Sequence, residues 1–183
     1  MNSEPKNIIL GITGSVAAYK AAEITSLLIK RGISVHVIMT AAAQKFITPL
    51  TFQSLTKNKV YVDMFDENYC PDIRHISLAQ KASVFCIAPA SANIIGKLAA
   101  GIADDMLSTV CMAFPPQKPV IICPAMNTAM YENRIVQSNI HLLESIIGMK
   151  FIEPKESMLA CGDIGKGALA DINKIVDAII DAL

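Results

Sequence analysis

The chain has 183 residues, and its 16 basic residues balance 16 acidic ones, so the formal net charge is zero. Hydrophobic residues make up 52% of the sequence and charged residues only 17%, which is enough apolar material for a folded core and argues against intrinsic disorder. A balanced charge provides no electrostatic attraction to nucleic acid or to an anionic membrane, so neither partner is expected. We predict a single domain over residues 1–183.

The apolar runs and the cysteines set further limits. The longest apolar stretches, such as Val84–Ala90, are too short to span a bilayer, and the polar residues 1–6 contain no apolar segment that could act as a secretion signal. The five cysteines form no C-x-x-C pair, which argues against a disulfide framework and a structural zinc site. Three of them, Cys86, Cys111 and Cys123, lie on apolar strands or helices and are predicted to be buried and unreactive. We therefore predict a reducing, cytoplasmic location and no bound metal.

Strands and helices are predicted to alternate along the chain. The strands are short apolar runs, and the helices have apolar residues at helical spacing. Strands are predicted at residues 7–11, 34–39, 83–88, 119–123 and 150–152, and helices at residues 16–30, 76–81, 91–100, 104–112, 135–147 and 172–183. Residues 58–74 and 153–168 lack either pattern and are predicted to be irregular.

The predicted strands are continuously apolar, as expected when helices cover both faces of a parallel sheet. We therefore predict an α/β fold, a doubly wound parallel sheet in a three-layer sandwich. Ligands of such folds bind beyond the carboxyl ends of the strands. Distinctive residues follow the predicted strand ends at positions 11–15, 40, 89–93 and 124–127.

The first strand-end motif is Gly11-x-x-Gly14-Ser15. Its glycines permit a tight turn, and the free amides at a helix start attract a phosphate. The third glycine of a dinucleotide fingerprint is missing, and the second strand ends in Met39-Thr40 where an acidic residue would hold a ribose. The motif therefore suits a mononucleotide phosphate better than NAD, although a turn needed only for packing explains the glycines equally well.

Other candidate residues each have an ordinary explanation. Ser91 is placed to cap a helix, and Met126 is of a type that often fills a core. His75 follows a long predicted loop, where it is either an exposed helix-start residue or a general base acting near neutral pH. Cys161 lies in a glycine-rich stretch, which predicts a flexible lid. A cysteine that only fills the core is unusual on a lid, so this position favours a reactive thiol.

Four strings occur in order over residues 7–180: Gly11-Ile-Thr-Gly-Ser-Val-Ala-Ala-Tyr-Lys20, Pro89-Ala-Ser-Ala-Asn93, Pro124-Ala-Met-Asn-Thr-Ala-Met130 and Ala160-Cys-Gly-Asp163. Together with His75 they resemble the homo-oligomeric flavin-containing cysteine decarboxylases. The resemblance implies a flavodoxin-like fold, bound FMN, and trimers or dodecamers with active sites between subunits. Ile94, Tyr131 and residues 167–169 depart from the usual pattern, which affects fine contacts and not the chemistry.

The resemblance also implies roles for individual residues. FMN contacts are implied for Gly14, Ser15, Val16, Thr40, Phe46, Ser91, Ala92, Asn93 and Ala125. Substrate contacts are implied for Met126, Asn127, Ala160, Gly162 and Asp163. The implied catalytic residues are His75, Asn127 and Cys161.

Within the family, this chain resembles the branch that acts in coenzyme A biosynthesis. It is expected to be the form that is not fused to a synthetase. The resemblance implies decarboxylation of 4′-phosphopantothenoylcysteine to 4′-phosphopantetheine, with FMN taking two electrons from the thiol-bearing carbon before CO₂ leaves and returning them afterwards. His75 is the implied base, Asn127 with Met126 positions the carboxylate, and Cys161 supplies a proton in the last step.

Three alternatives are weighed against this interpretation. Peptidyl-cysteine decarboxylases stop at the enethiol and lack a cysteine equivalent to Cys161. A flavin prenyltransferase shares the glycine-rich turn but needs neither the Pro124 string nor Cys161. A non-catalytic regulatory flavoprotein would lose a catalytic residue or carry a long acidic extension, whereas His75, Asn127 and Cys161 coexist here.

Overall fold

The computed structural model describes residues 6–64, 74–158 and 164–183, without the side chains of Arg74, His75, Met158 and Ile164. Its centre is a parallel sheet of five strands, in the order β2-β1-β3-β4-β5. The strands are β1 (Asn7–Ile12), β2 (Ser34–Met39), β3 (Val84–Ala90), β4 (Val120–Pro124) and β5 (Lys150–Phe151). This order is the flavodoxin-like one, so the predicted fold class is confirmed.

Helices cover both faces of the sheet. In chain order they are α1 (Lys20–Lys30), α2 (Pro49–Thr56), α3 (Arg74–Lys81), α4 (Ala92–Ala100), α5 (Met106–Met112), α6 (Thr128–Tyr131), α7 (Arg134–His141) and α8 (Ile172–Asp181). One core cluster contains residues of α1, α2 and α8, and a second cluster on the opposite face contains residues of α3, α4, α5 and α7. The result is a three-layer sandwich.

Strand β1 illustrates why the strands are apolar throughout. Ile8 and Leu10 belong to the first core cluster, while Ile9 between them belongs to the second, and all three are fully buried. Successive side chains of a strand point to opposite faces. A strand in the middle of this sandwich therefore needs apolar residues on both sides.

Residues 153–168, predicted to be irregular, contain two strands. These strands, β6 (Lys155–Met158) and β7 (Ile164–Ala168), pair antiparallel as a separate two-stranded sheet. Their sequences, Lys-Glu-Ser-Met and Ile-Gly-Lys-Gly-Ala, are polar or glycine-rich because this sheet lies outside the central one. The hydrophobic pattern therefore missed it.

Several predicted boundaries also move. Strand β3 continues to Ala90 and β4 to Pro124, where these two residues pair, so Pro89 and Ala90 are strand residues and not turn residues. The helix predicted at residues 16–30 opens with a 3₁₀ turn, Val16–Tyr19, and α7 is followed by a π-helical turn, Leu142–Ile146. Helices α2 and α6 were not predicted. Within the described ranges, no helix is long and apolar enough to cross a membrane.

Candidate functional site

A cavity of about 930 Å³ opens at the carboxyl ends of the strands. Strands β1 and β3 are neighbours in the sheet, but β1 leads to a helix on one face and β3 to a helix on the other. The chain therefore diverges between them, which is where open α/β sheets bind ligands. The cavity wall comes from the residues that follow β1, β2, β3 and β4, and from the end of β7.

The cavity collects most of the residues singled out in the sequence. All nine predicted FMN-contact residues line it, from Gly14 to Ala125, and so do Met126 and Asn127. His75 is the second residue of α3, and its side chain lies outside the described part of the structure. Ala160, Cys161, Gly162 and Asp163 fall between β6 and β7, outside the described residues.

The turn after β1 has a packing reason for its glycine. A Cβ on Gly14 would lie 2.5 Å from the Cβ of Ala42, in the segment that follows β2. Ser15 caps the 3₁₀ turn, because its Oγ accepts a hydrogen bond from the Ala17 amide at 3.3 Å. The packing explanation for this motif therefore applies, and Gly14 also lies in the wall of a ligand-sized cavity, where phosphate binding stays a prediction.

The start of α4 is different, because Ser91 does not cap the helix as its sequence position suggests. Its side chain makes no capping hydrogen bond. The first amide of this helix with a backbone partner is that of Ile95, which donates to the Ser91 carbonyl at 3.2 Å. In the described part of the chain no hydrogen bond reaches the amides of Ala92, Asn93 and Ile94, and all three residues line the cavity. This helix start can therefore receive an anion.

An ion-pair cluster forms another part of the wall. Lys97 Nζ lies 2.5 Å from Asp104 Oδ1 and 2.7 Å from Asp105 Oδ2, with only 18% of the lysine side chain exposed. Burial by itself lowers the pKa of Lys97, but the hydrogen bonds with both carboxylates outweigh it and the pKa is raised. Burial likewise opposes ionisation of Asp105, yet the hydrogen bonds from Lys97 and Ser108 lower its pKa. Lys97 and Asp105 therefore stay ionised near neutral pH.

The loop that carries Met126 and Asn127 rests on β7. The Met126 amide donates to the Gly167 carbonyl at 3.0 Å, and a Cβ on Gly167 would collide with the Met126 carbonyl oxygen. Asn127 Oδ1 accepts from the Ala129 amide at 2.9 Å and thereby caps α6. This bond fixes which end of the amide is the acceptor, so the donor group of Asn127 is Nδ2.

Several wall residues were missed by sequence reasoning. These unpredicted wall residues include Thr13, Tyr19, Lys20, Lys97, Asp105 and Met130. Helical spacing could have found some of them, since Tyr19 and Lys20 follow Val16 by one turn and Lys97 follows Asn93 by one turn. Thr13 gave no such signal, because its partners are distant in sequence.

Three cysteines were predicted to be buried, and the structure confirms it. Cys86, Cys111 and Cys123 are free thiols in the core. Burial raises the pKa of Cys111 to about 12, and it raises the pKa of Cys123 well above its usual value. None of the three lines the cavity.

Comparison with known proteins bears directly on this site. The flavoprotein family model matches residues 1–183. A probable phosphopantothenoylcysteine decarboxylase of Streptococcus mutans is 51% identical over 178 residues, covering 97% of this chain and 99% of the relative. The coenzyme A biosynthesis bifunctional protein CoaBC of Bacillus subtilis is 48% identical over 171 residues, 93% of this chain, which spans only 41% of that longer protein.

Solved structures are similar over nearly the whole chain. A mutant PPC decarboxylase complexed with pantothenoylaminoethenethiol has a TM-score of 0.84 at 29% identity, covering 97% of both chains. The FMN-dependent cysteine decarboxylase SpaF has a TM-score of 0.83 at 30% identity, again covering 97% of both chains. With a family model that spans every residue and a relative that shares half of its sequence, the chain belongs to the flavoprotein family.

Proposed function

We propose that this chain is an FMN-dependent phosphopantothenoylcysteine decarboxylase, a carbon–carbon lyase of coenzyme A biosynthesis. The observation that carries the proposal is that eleven residues line one cavity beyond the carboxyl ends of β1 and β3. They are the nine predicted flavin-contact residues together with Met126 and Asn127. A relative named as a probable phosphopantothenoylcysteine decarboxylase shares half of its residues with this chain, and the match covers almost its whole length. The peptidyl-cysteine decarboxylase EpiD, a solved structure, is 26% identical to this chain.

The residues of the cavity fit a flavin mononucleotide. Among the described residues nothing pairs with the amides of Ala92, Asn93 and Ile94, and the Ser91 hydroxyl makes no capping bond. These groups can donate hydrogen bonds to a phosphate, as can the turn after β1, where the sequence predicts one. Val16, Phe46 and Ala125 give apolar surface for a ring system. Gly14 permits close approach of the loops after β1 and β2, both of which line the cavity.

Bound FMN would supply a reversible two-electron sink, which lets a carboxylate without an adjacent activating group leave as CO₂. The chain supplies the remaining groups. Asn127 lies in the cavity wall with its amide orientation set by the bond to Ala129, so that Nδ2 is the donor that a substrate carboxylate requires. Met126 is held by its hydrogen bond to Gly167 and gives the same region an apolar contact.

Two further roles belong to groups outside the described side chains. His75, near the start of α3, would remove a proton from the substrate, as suits an imidazole near neutral pH. Cys161, between β6 and β7, would return a proton to the product after CO₂ has left, and Ala160, Gly162 and Asp163 would contact the substrate beside it. A saturated thiol product, in contrast to an enethiol, requires this proton together with the two electrons that bound FMN would return.

Association into trimers or dodecamers is part of the proposal. Val16, Tyr19, Phe46 and Met130 line the cavity with 49–60% of each residue exposed. Exposed apolar side chains grouped beside a ligand-sized cavity are typical of a surface that another subunit covers. Native mass spectrometry would count the subunits, and a stable monomer would contradict this part. A cytoplasmic location suits thiols that remain reduced.

The test is incubation of the purified protein with 4′-phosphopantothenoylcysteine, with mass detection of the product. We expect loss of one CO₂, a saturated thiol, and FMN released on denaturation. Asn127→Asp keeps the oxygen that caps α6, removes the donor and adds a charge that repels the carboxylate, so turnover should fall on the order of 100-fold.

The matched control is Asn133→Asp. Asn133 Oδ1 caps α7 with the same 2.9 Å bond, to the Ile135 amide, but Asn133 does not line the cavity. This variant should retain wild-type turnover. Protein without FMN that cannot be reconstituted, or an enethiol as the final product, would contradict the proposed function.

A further inference from the structure

The loop after β1 and the end of β3 are joined by one buried side chain, that of Thr13. The residue is only 1% exposed. Its Oγ1 donates to the Pro89 carbonyl at 2.7 Å and accepts from the Ser91 amide at 2.8 Å. Its own amide also donates to the Pro89 carbonyl at 3.3 Å. The hydroxyl thus uses both its donor and an acceptor position on the same neighbouring segment.

Two other buried hydroxyls of the described chain are satisfied locally. Thr25 Oγ1 donates to the Ala21 carbonyl one turn earlier in α1, and Ser108 bonds to Asp105 in the cap of α5. The bonds of Thr13 instead join residues 76 and 78 positions apart in sequence. A buried polar group costs free energy unless it is paired, so this hydroxyl also favours the arrangement that pairs it.

The place of this side chain gives it a consequence for the cavity. The paired register of β1 and β3 ends at Gly11 and Ile87, after which the two segments lead to opposite faces of the sheet. Thr13 bridges the two segments beyond that point, at the base of the cavity. Its bonds therefore set how far apart the two segments lie.

Both sides of the cavity floor are attached to Thr13. Its carbonyl accepts from the Ser15 amide at 2.9 Å, which fixes the turn after β1. Its hydroxyl holds the Ser91 amide, directly before the unpaired amides of α4. We propose that Thr13 is a positioning residue that fixes the spacing between the Gly14–Val16 turn and the start of α4, and thereby the affinity for FMN. This inference rests on the proposed function.

The test uses FMN binding to apoprotein, measured by quenching of flavin fluorescence, together with the Tm of the apoprotein. Thr13→Val keeps the shape of the side chain and removes the hydroxyl, so it should weaken FMN binding roughly tenfold or more. Thr13→Ser keeps the hydroxyl and should bind FMN within about threefold of the wild type. Thr25→Val, the matched control, removes a buried hydroxyl with a local bond and should lower the Tm without changing FMN affinity.

A second pair of variants tests the same bond from its other end. Ser91→Pro removes the amide that donates to Thr13, and the φ of −77° at this position suits proline. Ser91→Ala loses only the hydroxyl. We expect Ser91→Pro to bind FMN several-fold more weakly than Ser91→Ala. It should add little to the effect of Thr13→Val, because Thr13→Val already removes the bond that Ser91→Pro breaks.

The outcomes separate the inference from the proposed function. Wild-type FMN affinity in Thr13→Val, or equal affinity in Ser91→Pro and Ser91→Ala, would overturn the role of Thr13 while leaving the flavoprotein assignment intact. An equal loss of FMN affinity in Thr25→Val would reduce the effect to general stability and would also overturn it. Wild-type apoprotein that binds no FMN would contradict the proposed function itself.

Discussion

Two glycines on different sides of the cavity, Gly14 and Gly167, both lack room for a side chain, but for different reasons. A Cβ on Gly14 would meet a side chain, the Cβ of Ala42, at 2.5 Å. A Cβ on Gly167 would meet main-chain atoms, the Met126 carbonyl oxygen and, at 3.3 Å, the Thr128 amide nitrogen. The contact at Gly14 can therefore be relieved by substituting the opposing residue as well. The contact at Gly167 can be relieved only by moving the backbone.

Gly167→Ala should have a larger effect than a substitution of Gly14. The added methyl group would push the loop of Met126 and Asn127 away from β7 and break the bond between the Met126 amide and the Gly167 carbonyl. Overpacking of this kind costs about 1–3 kcal/mol, and the displaced Asn127 should lower turnover by roughly tenfold or more. Thermal unfolding and the CO₂-release assay measure the two effects.

The control for that variant is Gly96→Ala. Gly96 lies within α4, and its Cβ would approach only Asn139 Nδ2, at 3.9 Å. Replacing a mid-helix glycine by alanine should stabilise the protein by roughly 0.5–1 kcal/mol. If Gly167→Ala also stabilised the protein, the close contact between β7 and the Met126 loop would not exist as described.

Gly14→Ala should have an intermediate and reversible effect. The new methyl group would force the turn after β1 away from the segment after β2, and we expect several-fold weaker FMN binding with a loss of about 1–2 kcal/mol. The double variant Gly14→Ala with Ala42→Gly removes the opposing methyl group and should recover most of both quantities. Failure of this rescue would show that Gly14 serves its backbone conformation or the ligand, and not the contact with Ala42.

The smallest effect is expected at the ion pair between Lys166 and Glu153, which joins β7 to the segment before β6. Lys166 Nζ lies 2.6 Å from Glu153 Oε2, but the two side chains are 42% and 70% exposed, so Lys166→Ala should cost only about 0–1 kcal/mol. The hydrogen bond from Lys166 lowers the pKa of Glu153. A lowered carboxyl pKa contributes stability above its unfolded value, and that stability is lost as the pH falls.

The difference in Tm between wild type and Lys166→Ala should therefore be small at pH 7 and vanish as the pH falls below about 4. It should also shrink in high salt. A Tm difference of many degrees, or one that grows on acidification, would contradict the conclusion that this ion pair is weak and exposed. Such a result would mean that the antiparallel strands β6 and β7 are held in place as firmly as the loops after β1 and β3.

Much of the fold was predictable because its strands are buried on both faces. Ile8, Ile9 and Leu10 are all apolar for that reason, and the same holds for Val84–Ala90, so short apolar runs located the sheet. The pair of strands β6 and β7 was not predictable in this way, because most of its residues are polar or glycine and its pairing lies outside the sandwich. Helix α6, four residues long, is too short for periodicity to reveal.

The candidate site was predictable to the extent that its motifs follow strand ends. Parallel strands bring such residues to one edge, which is why Ser15, Thr40, Asn93 and Asn127 share a cavity. The roles of single residues were less predictable. Ser91 stands where a cap is expected but makes no cap, and its amide is instead bound by Thr13.

The residue pattern was enough to predict the alternation of strands and helices, the burial of three cysteines and the end of the sheet where the cavity lies, because each depends on local pattern and on the topology that the pattern implies. The folded chain was needed to show that Thr13 joins two segments, that Gly14 faces a side chain while Gly167 faces main chain, and that Lys97 is paired with Asp104 and Asp105. Contacts of this second kind depend on distances of a few ångströms between atoms that lie far apart along the chain, or on local geometry that residue type alone does not specify.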